Sequence, residues 1–505
     1  MVDKRERWGC RTSFIMAAIG SAIGLGNIWR FPYICYANGG GAFLIPYFVA
    51  LITAGIPLMI LEFALGRKAQ AGAPSAFARI VGKKTEWIGW LPLFAIMLIF
   101  FYYPVIMAWS VDYAVYSATL RWGTNTQNFF YNHFLQTSGG PGILGGIRWP
   151  ILAGLAVVWI AIYLCLFKGV KAVGKVVMWT VTIPWAILII MVVRGLTLPG
   201  AVDGLKFYLT PDFTALLKPN VWLAAYGQVF FTLSLAMGTL IVYSSYLPKK
   251  SDISNNAYIA SLANCGTSFF AGFAVFSTLG YLAQSMGVGV PEVTKSGLGL
   301  AFVTYPTAIR LLPFWAPFFG ILFFIMLLTL GIDSAFSQVE PFVAGFTDKW
   351  HFSKKWILPI VCIFGFLVGI LFTTRGGIYW LDMVDYFTCT FGLTLVGFLE
   401  CVAIGYIYKS RKMREYVNEV SEFRIGKWWD VMIMIVTPAI LGISFVWELV
   451  KLVQKGYGDY PRWTSFTGMC ILIFIVILSF VFMQIKGRKG QYNIPTEHVK
   501  EIKGR

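Results

Sequence analysis

The sequence predicts an all-α integral membrane protein with about twelve transmembrane helices, and three observations carry that prediction. Of the 505 residues, 58% are hydrophobic and 13% charged, whereas soluble domains run about 25% charged. With a mean hydropathy of +0.70, the chain cannot cover itself with polar surface, so part of its solvent must be lipid. Apolar runs of about 20 residues, each long enough for a hydrocarbon core of about 30 Å, recur from end to end. Two of those runs, five apart in order, hold Gly and hydroxyl residues at mid-membrane depth, which points to a repeated unit of five spans.

The runs fall at roughly 12–37, 42–66, 88–119, 149–167, 172–193, 221–246, 257–284, 314–346, 356–373, 378–408, 429–452 and 464–485. The first is too long for a signal peptide and lacks a small-residue cleavage site. It contains "AAIGSAIGLGNIWRFPY", with three glycines, Asn27, Arg30 and Pro32. Close helix packing accounts for the glycines but not for Asn27 and Arg30. An arginine at depth must face water or a partner. A helix that breaks here, exposing carbonyls and amides to a cavity, accounts for all of these residues. The sixth run holds the matching stretch "FFTLSLAMGTL". Gly39, Gly40 and Gly41 in "NGGGAF" read as a turn or packing device rather than a ligand.

The domain reading is a single unit: 1–11 as cytoplasmic N-terminus, 12–195 and 221–408 as two five-span repeats, 429–485 as two further spans, and 486–505 as a cytoplasmic tail. Charge sets the orientation. With an even number of spans, the side holding both termini also holds the basic clusters 4–11, 67–84, 168–175, 249–250, 349–355, 409–427 and the tail. These account for 29 of the 41 lysines and arginines, a positive-inside bias that makes both termini cytoplasmic. The net charge of +18 is therefore topological and implies no nucleic acid. The eight cysteines lie mostly singly within spans, with no CxxC, and read as apolar filler. No outward loop carries an Asn-x-Ser/Thr acceptor. A bacterial or archaeal inner membrane fits best.

"GSAIGLGNIWRFPYICYANGGGAFLIPYF" closely resembles the signature of the neurotransmitter:sodium symporter family. "VFFTLSLAMG", "LANCGTSFFAGFAVFS", "LGIDSAFSQVEPF" and "GGIYWLDMVDYF" extend the resemblance over almost the whole chain. It implies the LeuT fold, a 5+5 inverted repeat with spans one and six unwound around a central site, and Na⁺-coupled transport. It further implies a first sodium site from the carbonyls of Ala22 and Thr232, the Thr232 hydroxyl, the side chains of Asn27 and Asn264, and the substrate carboxylate. A second sodium site would use carbonyls of Gly20, Ile23 and Leu330 with the side chains of Asp333 and Ser334. Tyr47, Gln228, Thr232 and Ser268 match the chloride site. Where some relatives carry an acid, Ser268 is neutral, so chloride is expected as a co-ion.

The substrate residues implied are Ala22, Gly24, Leu25, Gly26, Ile99, Tyr103, Phe231, Thr232, Ser234, Met237, Ser334 and Gln338. In the monoamine branch an aspartate stands where this chain has Gly24, so the resemblance favours the amino-acid branch. The mostly apolar set favours a neutral amino acid; a GABA-like or other ω-amino acid is the alternative. Arg30 and Asp385, with Phe231 and Tyr103 below them, match an outer gate. Arg5, Trp8, Ser245, Tyr246 and Asp348 match an inner one. Glu62 and Glu400 are expected to hydrogen-bond the unwound backbone. The three histidines, His133, His351 and His498, lie in loops or tail with no metal-binding set, so a membrane enzyme has little support. A sodium-dependent receptor or channel on the same scaffold is the remaining competitor. The partners implied are a small amino acid and the bilayer.

Overall fold

The computed structural model describes residues 5–293 and 297–487. Residues 1–4 of the expected N-terminal segment, and all but the first two residues of the expected tail, lie outside the described residues. Ten helices among those described are long and apolar enough to cross a membrane: Gly41–Ala69, Lys83–Ser117, Trp149–Leu166, Val170–Leu196, Ser254–Met286, Ala316–Trp350, Lys354–Thr373, Gly377–Asn418, Lys427–Lys455 and Arg462–Gln484. An eleventh crossing is a bent pair, Arg11–Ala22 and Leu25–Ala37, at 59°. A twelfth apolar segment is the interrupted pair Pro219–Thr232 and Thr239–Ser245. The structure thus holds all twelve runs, eleven of them within about five residues of their expected ends, while the tenth, expected to stop at 408, continues to Asn418.

The third span, Lys83–Ser117, is the core of the bundle, with 94% of its most apolar window buried; the last two spans are only 22% buried in theirs. Burial without a polar face explains why the third span shows no helical stripe of apolar residues. The peripheral spans carry exposed Ile, Phe and Val, as a lipid-facing surface requires. Gly39 and Gly40 do form a turn, with φ of +97° and +61°. A Cβ on Gly40 would lie 2.7 Å from the Phe207 carbonyl oxygen. All eight cysteines are free thiols.

Candidate functional site

The first break is made by two extended residues. Ile23 has φ −79°, ψ 102° and Gly24 φ −131°, ψ −165°. The helix restarts at Leu25, where Asn27 Oδ1 accepts the Gly24 N–H at 2.9 Å. The new helical end directs N–H groups and the positive end of a dipole into the gap, a suitable place for an anionic group. Leu25 N lies 3.5 Å from the Tyr103 hydroxyl oxygen.

The second break spans 233–238. Ser234, Ala236 and Gly238 have φ of +54°, +61° and +71°. Two left-handed non-glycine residues are costly, about 1–2 kcal/mol each, and the surroundings hold them. Ser234 Oγ donates to the Ser21 carbonyl at 2.7 Å, and Glu62 Oε1 accepts the Ala236 N–H at 2.8 Å. Ala236→Gly is therefore expected to keep or slightly raise thermal stability in detergent. Ala236→Val should lower it by about 2 kcal/mol, since a β-branched residue fits this region worst.

Glu62 meets the expectation placed on it, and Glu400 does not. Both carboxylate oxygens of buried Glu400 lack a hydrogen-bond partner among the described residues. The reason is local: Ser234 N and Leu235 N are taken by the carbonyls of Phe231 and Phe230, and Ala236 N by Glu62, so no donor of these three remains for Glu400.

The two breaks abut. Every residue expected at the substrate site lines one cavity, together with Ser21, Asn27 and Ser337. None of these lining residues, among the described residues, carries a charged side chain. Gly24 is required there by space: a Cβ would sit 2.6 Å from Ser334 Oγ and 3.2 Å from the Tyr103 hydroxyl. Gly26 is similar, its Cβ position 2.8 Å from the Phe231 ring. Gln338 Oε1 is buried without a partner among the described residues.

Oxygen-rich positions border the cavity on two sides. On one, Asn27 Nδ2 donates to Asn264 Oδ1 at 2.9 Å and to Ser268 Oγ at 2.8 Å. Asn264 Nδ2 donates to the Thr232 hydroxyl at 3.1 Å. Asn27 Oδ1, turned to the break, keeps a second lone pair. Beyond this cluster the Tyr47 hydroxyl donates to Cys265 Sγ at 3.3 Å. Both polar atoms of the Gln228 amide are buried with no partner among the described residues, as a site with room for a further ligand would leave them. On the other side, Asp333 Oδ2 is 2.8 Å from where a Gly20 Cβ would be. Asp333 Oδ1 accepts from Thr180 at 2.5 Å. Asp333 is buried and joins no ion pair among the described residues. An acid so placed within a span marks an ion path by default.

The residues expected at the two gates are brought together on each side. On the outer side Arg30 is 3.8 Å from Asp385 and its guanidinium lies 4.2 Å above the Phe231 ring. On the inner side Arg5 meets Asp348 at 2.6 Å, donates to Ser245 and stacks 5.0 Å over Tyr246. Trp8 Nε1 donates to the Tyr243 carbonyl at 2.8 Å. Several members escaped sequence reasoning. Tyr102 donates to Asp385 at 2.5 Å, and Gly72 N donates to Asp348 at 2.6 Å. Tyr246 donates to Glu340, which Lys354 pairs at 3.0 Å. Away from the gates, Thr180, which bonds Asp333, and Ser21, whose carbonyl accepts from Ser234, were missed as well. A neutral or loop residue in such a position carries no local signal; only the packing shows it.

The model of the sodium:neurotransmitter symporter family matches residues 5–127 and 118–489. The chain belongs to that family. It is a sodium-dependent multi-pass membrane transporter and not an enzyme. An uncharacterized sodium-dependent transporter of Methanocaldococcus jannaschii is 42% identical over 489 residues, covering 96% of this chain and 99% of that protein. The sodium- and chloride-dependent taurine transporter of Bos taurus is 36% identical over 515 residues, covering 93% and 83%. The sodium- and chloride-dependent GABA transporter 2 of Mus musculus is 34% identical over 530 residues, covering 96% and 88%.

Proposed function

We propose that this transporter couples inward Na⁺, with Cl⁻, to uptake of a small ω-amino acid of the taurine and GABA type by alternating access to the central cavity. The observation that carries the reading is the cavity wall. It has no charged side chain among the described residues, so a substrate with separated charges must meet ions and backbone dipoles. The anionic group would take the restarted helix at Leu25 and Gly26, the Tyr103 hydroxyl and one Na⁺. The amine would take carbonyls and hydroxyls of the second break and Gln338. Relatives named as taurine and GABA transporters support the same class.

In this reading one Na⁺ is held by Ala22, Asn27, Thr232 and Asn264, and the other by Gly20, Ile23, Leu330, Asp333 and Ser334. Hard cations take oxygen ligands, which half-helix ends and these side chains supply. Both termini are cytoplasmic, and spans one to five and six to ten form the inverted repeat. A neutral α-amino acid is the second reading, favoured by the apolar wall at Ile99 and Met237.

The deciding experiment is uptake into proteoliposomes of labelled taurine, GABA, glycine and leucine, each with and without a Na⁺ gradient. Gradient-driven taurine or GABA uptake supports the proposal. Uptake of leucine or glycine alone moves the assignment to the second reading, and ohmic current without uptake makes the protein a channel.

The gate contacts bear a prediction of their own. A half-exposed ion pair is worth about 0–1 kcal/mol and the Arg30–Phe231 contact about 0.5–2. Arg30→Ala is therefore expected to speed outward release of bound substrate by about five- to tenfold, with equilibrium binding changed less. Washout of labelled substrate from the outer face checks it.

A further inference from the structure

We propose that Glu86 and Lys349 are positioning residues for the inner gate: their buried ion pair fixes the rotation of the eighth span's end, and with it the carboxylate of Asp348. The proposal rests on the reading of Arg5 and Asp348 as that gate.

Asp348 and Lys349 are neighbours on one helix, so their side chains leave it about 100° apart. Asp348 faces Arg5 and the backbone N–H of Gly72, both at 2.6 Å. Lys349 faces the first turn of the third span, where its Nζ meets Glu86 Oε1 at 2.6 Å. The same Nζ donates to the Phe482 carbonyl of the last span. Trp90 Nε1 donates to the same Glu86 oxygen at 3.0 Å. The rings of Trp90 and Trp350 lie 5.6 and 5.3 Å from Nζ. Both side chains of the pair are 0% exposed.

Stability alone does not call for such a pair. Apolar residues of similar volume at a buried ion pair usually match or exceed its stability. What the pair adds is direction. The ammonium meets a carboxylate, a carbonyl and two ring faces at one rotation of the helix only. Turning the helix end by one residue would leave a bare charge in an apolar site. That same turn would carry Asp348 away from Arg5 and Gly72. Gly72 binds the second Asp348 oxygen through backbone, so Asp348 is the stationary half of the gate. Arg5, on the N-terminal segment, is the half that leaves.

The test is hydrogen–deuterium exchange of the N-terminal segment in full-length protein in lipid nanodiscs, which needs no substrate. Arg5→Ala is the gate control and is expected to raise exchange over residues 5–12 by about tenfold. The apolar pair Glu86→Met/Lys349→Met is expected to raise it by at least about fivefold at unchanged monodispersity. Added to Arg5→Ala, it should contribute no more than about twofold further, because both act on one contact. Wild-type exchange in the apolar pair, or effects that multiply in the triple variant, overturns the proposal. If Arg5→Ala leaves exchange unchanged, the gate reading itself fails and the proposal with it. Should the apolar pair not fold, Trp90→Phe carries the test. It removes one hydrogen bond to Glu86, keeps an aromatic ring, and should raise exchange by about threefold; wild-type exchange there overturns the proposal.

Discussion

Asp333→Ala is expected to abolish Na⁺-driven uptake, and Asp333→Asn to retain about 1% of it or less. At an effective dielectric of about 20, a unit charge about 4 Å from a cation is worth ~4 kcal/mol, near a thousandfold in affinity. Asn keeps an oxygen ligand but not the charge. The competing account is that Asp333 only bonds Thr180 to tie two helices together, its Oδ1 accepting at 2.5 Å. Asn can keep that bond, so the two accounts part at this variant. Na⁺ titration of initial uptake rates, with a Na⁺-dependent thermal shift as a readout free of substrate, separates them. Full sodium-driven uptake by Asp333→Asn would sink the sodium-site assignment. Gly20 belongs to the same argument, since a Cβ there would meet Asp333 Oδ2 at 2.8 Å.

How much of this was legible in the sequence depended on how the signal was stored. Broken helices show themselves locally, because Gly24, Gly26 and Asn27 are out of place in a lipid-spanning run. Spacing says only that Asn264 and Ser268 lie four apart on one helical face; that Asn27 meets them came from the family resemblance for Asn264 and from the packing for Ser268, and both accept from its amide at under 3 Å. Thr180, Tyr102 and Ser21 were not legible. A hydroxyl in an apolar run is common, and nothing near it in the chain says that it bonds Asp333 or Asp385; Ser21 meets Ser234 through its backbone carbonyl, which carries no side-chain signal at all. Lys349 was misread for a related reason. It counted as positive-inside charge, whereas folding buries it completely against Glu86. Glu400 shows the opposite error: an acid in a span was given a backbone partner that Glu62 already holds. Ala236 carries no sign in the sequence of its φ of +61°, where glycine is the cheaper residue.

Removing chloride is expected to cut the uptake rate by about tenfold or more in wild type and to leave Ser268→Glu unaffected. The argument is charge balance in a space where charge is expensive. Two Na⁺ and a zwitterion leave two positive charges, and in this reading Asp333 offsets one of them. A second negative charge near the first sodium site is missing: Asn27, Asn264, Thr232 and Ser268 are all neutral, and all are buried. At about 4 Å and an effective dielectric near 20, an unbalanced charge costs ~4 kcal/mol. The buried Gln228 amide, unpartnered among the described residues, and the Tyr47 hydroxyl next to Cys265 offer donors for a halide. A glutamate at 268 would place a carboxylate where Asn27 Nδ2 now donates to Ser268 Oγ at 2.8 Å, so the anion would become part of the chain. The measurement is uptake in chloride against gluconate, at fixed Na⁺ and clamped potential, with protein washed free of chloride. Equal rates for wild type in the two anions would show that the second positive charge is balanced elsewhere. The buried carboxylates of Glu62 and Glu400 would then be the groups to substitute next.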